Sequence, residues 1–334
     1  MSGDTYLAAG VDRNAAQKAK ESIKAIASKT LQKEVVGGIG FFGGMYQLQG
    51  YSKPVLVSST DSPGTKLKIA NLMNRFDTVG IDLVNHCVND VFTSGAQPIF
   101  FLDYIGVGNL VTEKVEDLVR GAANACEVVG CSLIGGETAE LPGIYSGDEF
   151  DMAGFAVGVV EKDQIIDGST IVEGDILLGL SSSGLHTNGY SLARKVFAIE
   201  ENPSVLYEEM TGLSGTLGES LMEPHRCYYP LLNPVLPIIK GMSHITGGGI
   251  PENVPRILPT GLGAKFDKSA WQVPVIFQLI EEKGQVEEEE MFKVFNMGIG
   301  MVLACDPKKV DAVCNIIPET KVIGEVTKGV EIII

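Results

Sequence analysis

"PVLVSSTDSPGTKLKIANLMN", residues 54–74, reads as an apolar strand, a tight loop and a helix over Lys66–Asn74. The loop Ser58–Lys66 carries an acid and a base beside a glycine turn. A Walker loop needs G-x-x-x-x-G-K-[ST]; here the order is Gly64-Thr65-Lys66, and Ser59 stands where the first glycine belongs. Phosphate binding remains open to it, because a glycine turn entering a helix points free N–H groups outward and Lys66 adds a point charge. Asp61 would repel a phosphate unless a divalent cation stood between them. The loop therefore points to a Mg²⁺-bridged nucleotide.

The neighbouring segments extend this reading. Gly80–Ser94 forms a helical pattern with Asp82, His86, Asn89, Asp90 and Thr93 on one side and Val84, Val88 and Val91 opposite. A solvent face would carry Lys and Glu. Short carboxylate, amide, imidazole and hydroxyl groups instead suit rigid holding of a cation, or polar packing. "PIFFLDYIGV" (98–107) follows as a strand. The helix in 113–130 places Val115, Leu118, Val119, Ala122 and Val129 on one face. "CSLI" then runs into "GGETAELPG" (135–143), where Gly135 and Gly136 allow close backbone approach and Glu137 and Glu140 add acids. "DMAGFAVGVVEK" (151–162) closes the half as a strand. Upstream, Gly38, Gly40 and Gly43 in "VVGGIGFFGGM" (35–45) satisfy G-x-G-x-x-G, but only Val35 and Val36 precede them, so a dinucleotide turn is disfavoured. A plain loop or a lid whose amides close over a ligand is expected.

The turn region "IIDGSTIVEGD" (165–175) sets an expected boundary near residue 168, giving domains 1–168 and 169–334. After it come the strand "DILLGLSSSG" and a helix around Tyr190–Phe197. Two stretches there concentrate polar groups. "SSSGLHTNGYS" (181–191) offers His186 and Asn188; "SHITGGGIPENVPR" (243–256) offers Thr246, Gly247, Gly248, Asn253 and Arg256. Both stretches suit a phosphate-bearing polar substrate: amides and hydroxyls for the phosphate, Asn and His for directional hydrogen bonds. Strands alternating with helices in both halves give an α+β chain of two α/β-type domains.

Composition excludes several classes. The 334 residues carry a net charge of −16, which argues against a nucleic-acid binder. No apolar run reaches a membrane span, and the N-terminus lacks a signal-peptide layout, so a cytoplasmic protein is expected. Six cysteines form no C-x-x-C pair and read as reduced core residues.

Taken in order, "AGVD", "GGIGFFGG", "TDSPGTK", "GIDLVNHCVND", "GAQPIFFLDY", "GCSLIGGETAELPGIY", "SSGLHTNGYSL", "ITGGGIPENVPRILP" and "FNMGIGMVL" resemble the phosphoribosylformylglycinamidine cyclo-ligase family (aminoimidazole ribonucleotide synthetases). The resemblance implies an ATP- and Mg²⁺-dependent ring closure of formylglycinamidine ribonucleotide, releasing ADP and phosphate in purine biosynthesis. It also implies a homodimer whose N-terminal mixed sheets pair, with nucleotide near that interface, and a C-terminal synthetase domain. On this footing Asp61, Asp90 and Glu137 are the expected metal ligands. Gly38, Gly40, Gly43, Gly64, Thr65, Asn89, Gly135 and Gly136 join them around the nucleotide. Lys66, Asp90 and His186 are the expected catalytic groups. Ser62 and Pro63 replace Gly-Val of the family loop, the proline removing an N–H donor. In "EPHRCYYP" (223–230), His225 replaces a threonine and Pro230 a lysine, while Arg226 and Tyr228 are retained. The alternatives are another ATP-dependent synthetase or phosphotransferase of the superfamily, or a nucleotide-binding module without turnover.

Overall fold

The computed structural model describes residues 13–334; the "AGVD" stretch lies outside the described residues. In chain order, α1 (Arg13–Ala27) is followed by the short pair β1 (Val35–Val36) and β2 (Met45–Tyr46). Next come β3 (Pro54–Asp61), α2 (Lys66–Met73), α3 (Asp77–Phe92), β4 (Gln97–Val107), α4 (Thr112–Val129), β5 (Ser132–Glu140) and β6 (Phe150–Glu161). Helix α3 thus starts and ends slightly earlier than the pattern in Gly80–Ser94 suggests. Asp77 sits in its first turn, where a carboxylate favours the positive end of the helix dipole.

The chain divides into two compact units. The first holds the described residues up to Val91 with Gln97–Glu161; the second holds Phe92–Ala96 with Lys162–Ile334. The division falls after Glu161, rather than in the turn at 168.

The first unit is built on a mixed sheet ordered β3-β6-β4-β5, antiparallel except for the parallel pair β4–β5. Its inner face packs on α3, whose Val79, Leu83, Val84, Cys87, Val88 and Val91 are fully buried. Helices α3 and α4 cross at two glycines. A Cβ on Gly80 would stand 2.1 Å from the Leu118 carbonyl oxygen, and one on Gly121 2.1 Å from that of Asp77. Backbone meets backbone there, and any side chain would force the helices apart. The alternation along β3 leaves its other face open, with Leu56 and, on β6, Phe155 exposed.

The second unit continues with β7 (Ile176–Ser181), α5 (Tyr190–Val196), α6 (Leu217–Leu221), α7 (Tyr229–Leu232), β8 (Gly241–His244), α8 (Gly249–Asn253) and β9 (Leu262–Phe266). It ends with α9 (Val275–Gly284), α10 (Glu288–Val294), β10 (Ile299–Cys305), α11 (Val310–Ile316), β11 (Lys321–Lys328) and β12 (Ile332–Ile333). Its sheet runs β12-β9-β11-β7-β10-β8, antiparallel except for β9–β12. Leu178, Leu180, Met301 and Leu303 from the central strands pack with Tyr228, Val235 and Val313. The fold is α+β with two α/β-type units, as the alternation of elements implies. Among the described residues no helix is long and apolar enough to cross a membrane.

Candidate active site

Strand β3 delivers Asp61 to its C-terminal end, and α3 delivers His86 and Asp90 one turn apart. His86 Nε2 lies 3.1 Å from Asp61 Oδ2, and the Ser59 hydroxyl donates to Asp90 Oδ2 at 3.1 Å. Both carboxylates also surround Cys87, whose buried thiol is pushed up by desolvation first and then by Asp61 and Asp90. Asp61 keeps 37% of its side chain exposed. Two carboxylates and a hydroxyl, all half-buried, form a hard-oxygen set of the kind suited to Mg²⁺. The imidazole of His86 behind Asp61 holds the orientation of that carboxylate.

The loop into α2 is more closed than its glycine suggests. Ser62 N–H donates to Asp61 Oδ1 at 2.7 Å, and Gly64 N–H donates to the Ser62 hydroxyl at 3.1 Å. Serine at 62 therefore occupies an amide that the turn could otherwise offer to a phosphate. Thr65 is the residue before the first turn of α2, and its hydroxyl makes no cap.

Lys66 departs from the expectation of a free point charge at this turn. Its ammonium sits 2.9 Å from Asp82 Oδ1 and 2.8 Å from Oδ2, and both side chains are fully buried. An apolar position inside α2 and a carboxylate on the facing helix draw the chain inward, because a buried ammonium needs its countercharge. The polar side of α3 is also interior: Asp82 and Asn89 are fully buried and His86 nearly so. Asn89 therefore belongs to the packing behind the site.

Glu137 is not brought to Asp61 and Asp90. The register aligns Asp61, Gly154, Asp103 and Gly136 in one row across the sheet. That row spans three inter-strand gaps, on the order of 14 Å, and neighbours along a strand point to opposite faces. Glu137, one residue past Gly136, lies at the far edge and on the outer face, so it cannot share a cation with Asp61. Gly135 and Gly136 have a structural cause: a Cβ on Gly136 would fall 1.7 Å from Asp103 Oδ1. Burial pushes the Asp103 carboxyl up to about 7. Sequence reasoning missed this group, which lies inside the apolar-looking run "PIFFLDYIGV".

Gly38, Gly40 and Gly43 sit in the connection between β1 and β2, which pair antiparallel. No helix follows, which removes the dinucleotide reading. Gly38 and Gly40 have φ of 68° and 113°, and Phe41 and Phe42 at the tip are strongly exposed.

In the second unit, the two polar stretches meet: a Cβ on Gly247 would lie 3.1 Å from Asn188 Oδ1. Asn188 and Thr246 are half-buried, while Gly247 and Arg256 are exposed. Asn253 is buried and acts as a clamp. Its Nδ2 donates to the carbonyls of Gly247 (3.1 Å) and Gly249 (2.9 Å), and its Oδ1 accepts from Arg256 at 3.2 Å and Thr246 at 3.3 Å. It shapes the Thr246–Gly249 loop, including Gly248 at φ 89°, and offers no atom outward.

His186 also lies inside, 1% exposed, in the left-handed region at φ 61°. A non-glycine residue there marks a position held by its surroundings. Its Nε2 accepts from Ser183 N–H at 3.2 Å, and its ring stacks on His225 at 4.0 Å. Sequence reasoning passed over Asn296 in "FNMGIGMVL". That buried amide accepts from Ser182 and Gly298 N–H and donates to the Gly184 carbonyl, holding the serine loop.

Residues 45–160 match the family AIR synthase related protein, N-terminal domain, and residues 172–334 match AIR synthase related protein, C-terminal domain. A phosphoribosylformylglycinamidine cyclo-ligase of Desulfitobacterium hafniense is 53% identical over 316 residues, covering 92% of this chain and 91% of the relative. Another, of Geobacillus kaustophilus, is 52% identical over 332 residues, covering 97% and 96%. Among solved structures, thiamine-monophosphate kinase from Stenotrophomonas maltophilia superposes with a TM-score of 0.66 at 14% identity, covering 94% of this chain and 95% of that one. The hydrogenase maturation protein HypE in complex with ATP gives 0.66 at 14% identity, covering 95% and 87%. Those two share the fold alone. With half its residues identical to the cyclo-ligases over nearly its whole length, the chain belongs to the phosphoribosylformylglycinamidine cyclo-ligase family.

Proposed function

We propose that the chain catalyses ATP-dependent closure of formylglycinamidine ribonucleotide to aminoimidazole ribonucleotide, with ADP and phosphate released. The observation that carries this is the meeting of Asp61, Asp90 and Ser59 at the end of β3, beside the glycine turn into α2. In a chain of net charge −16, with Lys66 neutralised inside, a triphosphate needs a cation to approach these carboxylates. Mg²⁺ supplies that charge when bound, neutralising the oxygens of the transferring phosphoryl group.

The chain's own groups do the rest. Asp61 and Asp90 hold the cation, and His86 fixes the carboxylate of Asp61. Half-buried Asn188 and Thr246, with exposed Gly247 and Arg256, bind the ribose phosphate and amidine of the substrate. His186 orients the 182–188 loop and, on loop movement, the formyl group. The formyl oxygen takes the γ-phosphoryl group, the amidine nitrogen attacks the same carbon, and the C–O bond breaks to release phosphate. That attack is intramolecular, so a folded-back substrate supplies a large effective concentration. The connection carrying Gly38, Gly40 and Gly43, with Phe41 and Phe42 at its tip, closes over the nucleotide and excludes water.

Assembly follows from the sheet. The open outer face carrying Leu56 and Phe155 pairs with its copy in a homodimer. Glu137, on that same face, then belongs to the neighbourhood of the interface. Six cysteines outside any disulfide accord with a cytoplasmic setting.

Asp90→Asn tests the site. It should leave the circular-dichroism spectrum and melting behaviour intact while imidazole formation falls about 10- to 100-fold and needs more Mg²⁺. Parental rate and Mg²⁺ dependence in the folded variant would remove Asp90 from the site.

A further inference from the structure

Three of the chain's four histidines, His186, His225 and His244, meet in the second unit. They come from separate elements: the loop after β7, the segment before α7, and the end of β8. All three are buried, at 1%, 1% and 5% exposure. A buried imidazole must find partners for its ring nitrogens, so the hydrogen bonds show what each ring ties together. We propose that His225 is a positioning residue that locks the loop carrying His186 and Asn188 to the strand leading into Thr246 and Gly247. It thereby holds the two halves of the substrate site at a fixed separation. The inference deepens the proposed function and rests on it for the identity of the ligand.

The loop after β7 docks on residues 224 and 225 at three points. Ser183 Oγ donates to the Pro224 carbonyl at 2.6 Å, and Thr187 Oγ1 lies 3.3 Å from His225 Nδ1. The His186 ring stacks on that of His225, with centroids 4.0 Å apart and planes 20° apart. Ser183 N–H closes the turn on His186 Nε2 at 3.2 Å. Asn188 is the next residue after Thr187, so its side chain starts from a fixed point. Gly300 makes room for the stack, because a Cβ there would stand 2.7 Å from His186 Cε1.

On the other edge of its ring, His225 Nε2 stands 2.9 Å from His244 Nε2. One proton joins those nitrogens, and a neutral imidazole carries a single N–H. If His225 donates to His244, its Nδ1 accepts from the Thr187 hydroxyl. If it accepts, its Nδ1–H donates to that hydroxyl. Both nitrogens are committed in either tautomer, so His225 acts through its neighbours. His244 ends β8, and the chain beyond it is pinned by Ile245 N–H donating to the Gly300 carbonyl at 3.0 Å. Thr246 and Gly247 follow directly. The two loops meet again past this bridge, where a Cβ on Gly247 would lie 3.1 Å from Asn188 Oδ1. A change at His225 therefore reaches both loops.

A ring that only fills space and one that couples through its nitrogens respond oppositely to two substitutions. His225→Phe keeps the aromatic volume and the stack but has no ring nitrogen. His225→Gln gives up the stack and keeps polar atoms at the reach of Nε2. In the full chain, His225→Phe should raise KM for formylglycinamidine ribonucleotide about tenfold and leave KM for ATP within about twofold. His225→Gln should lie closer to the parent. A parental substrate KM in His225→Phe, an equal rise in KM for ATP, or a glutamine variant worse than the phenylalanine one would reduce His225 to packing and overturn the proposal.

Nuclear magnetic resonance of the same chains needs no turnover. With nitrogen-15 histidine, the parent should show a nitrogen–nitrogen coupling across the His225–His244 hydrogen bond. In His225→Phe, the backbone amides of Asn188 and Gly247 should both shift. Absence of the coupling, or a shift confined to one loop, would overturn the proposal whatever the substrate. The coupling is read on the native chain, so it decides even if His225→Phe does not fold. Both resonance results without turnover of formylglycinamidine ribonucleotide by the parent would sink the proposed activity and leave the bridge standing.

Discussion

Replacing Lys66 with Met removes an ammonium that lies 2.8–2.9 Å from Asp82 with both side chains fully buried. Methionine keeps the length of the side chain, so the main effect is a carboxylate left in an apolar interior. Breaking such a pair from one side costs about 3–5 kcal/mol. For a unit of about 150 residues this lowers the melting temperature by roughly 6–20 °C. Replacing both partners, Lys66→Met with Asp82→Val, removes the stranded charge and should return most of that loss. The probe matters: the single tryptophan, Trp271, lies in the second unit, so its fluorescence reports the wrong part. Hydrogen exchange of peptides covering α2 and α3 reads the right one. Imidazole formation by the double variant, assayed where it is folded, should stay within several-fold of the parent. A stable double variant without phosphoryl transfer would refute the structural role and return Lys66 to the phosphate.

Three further outcomes follow from the first unit. Asp103 has its carboxyl raised from 3.8 to about 7 by burial; the folded chain therefore holds the proton more tightly than the unfolded one between those pH values. Stability should fall as pH rises through that window and level off above it, by on the order of 4 kcal/mol in all. Denaturant midpoints against pH should show this slope flattened in Asp103→Asn, and an unchanged slope would reject the assignment. Gly121→Ala puts a methyl 2.1 Å from the Asp77 carbonyl and should cost about 1–3 kcal/mol in thermal melts; a neutral result would mean α3 and α4 do not cross there. Leu56→Asp charges the outer sheet face and should shift light scattering at micromolar protein from dimer to monomer. A parental mass would move the interface elsewhere.

Much of the first unit is legible in the sequence because its signals are local. The strand–turn–helix of 54–74 and the α4 periodicity need only neighbours in the chain. The short polar residues of α3 stand out for the same reason, but their burial depends on what lies across from them. Lys66 after a glycine turn reads as a phosphate ligand until Asp82, on another helix, is seen beside it. Glu137 fails for a topological reason. Strand order puts β3 and β5 at opposite edges, and a one-residue offset changes the face. Asn253 reads as a substrate ligand because its loop is polar, whereas its amide is consumed by the carbonyls of Gly247 and Gly249. The His186–His225–His244 cluster has no spacing signature, since three distant segments build it.

The central claim is that the phosphoryl group of ATP goes to the formyl oxygen of the substrate. Formylglycinamidine ribonucleotide carrying oxygen-18 in its formyl group tests it most directly. One ADP and one labelled phosphate per imidazole are predicted. Label lost to bulk water, AMP as the nucleotide product, or ATP consumption without imidazole would contradict it.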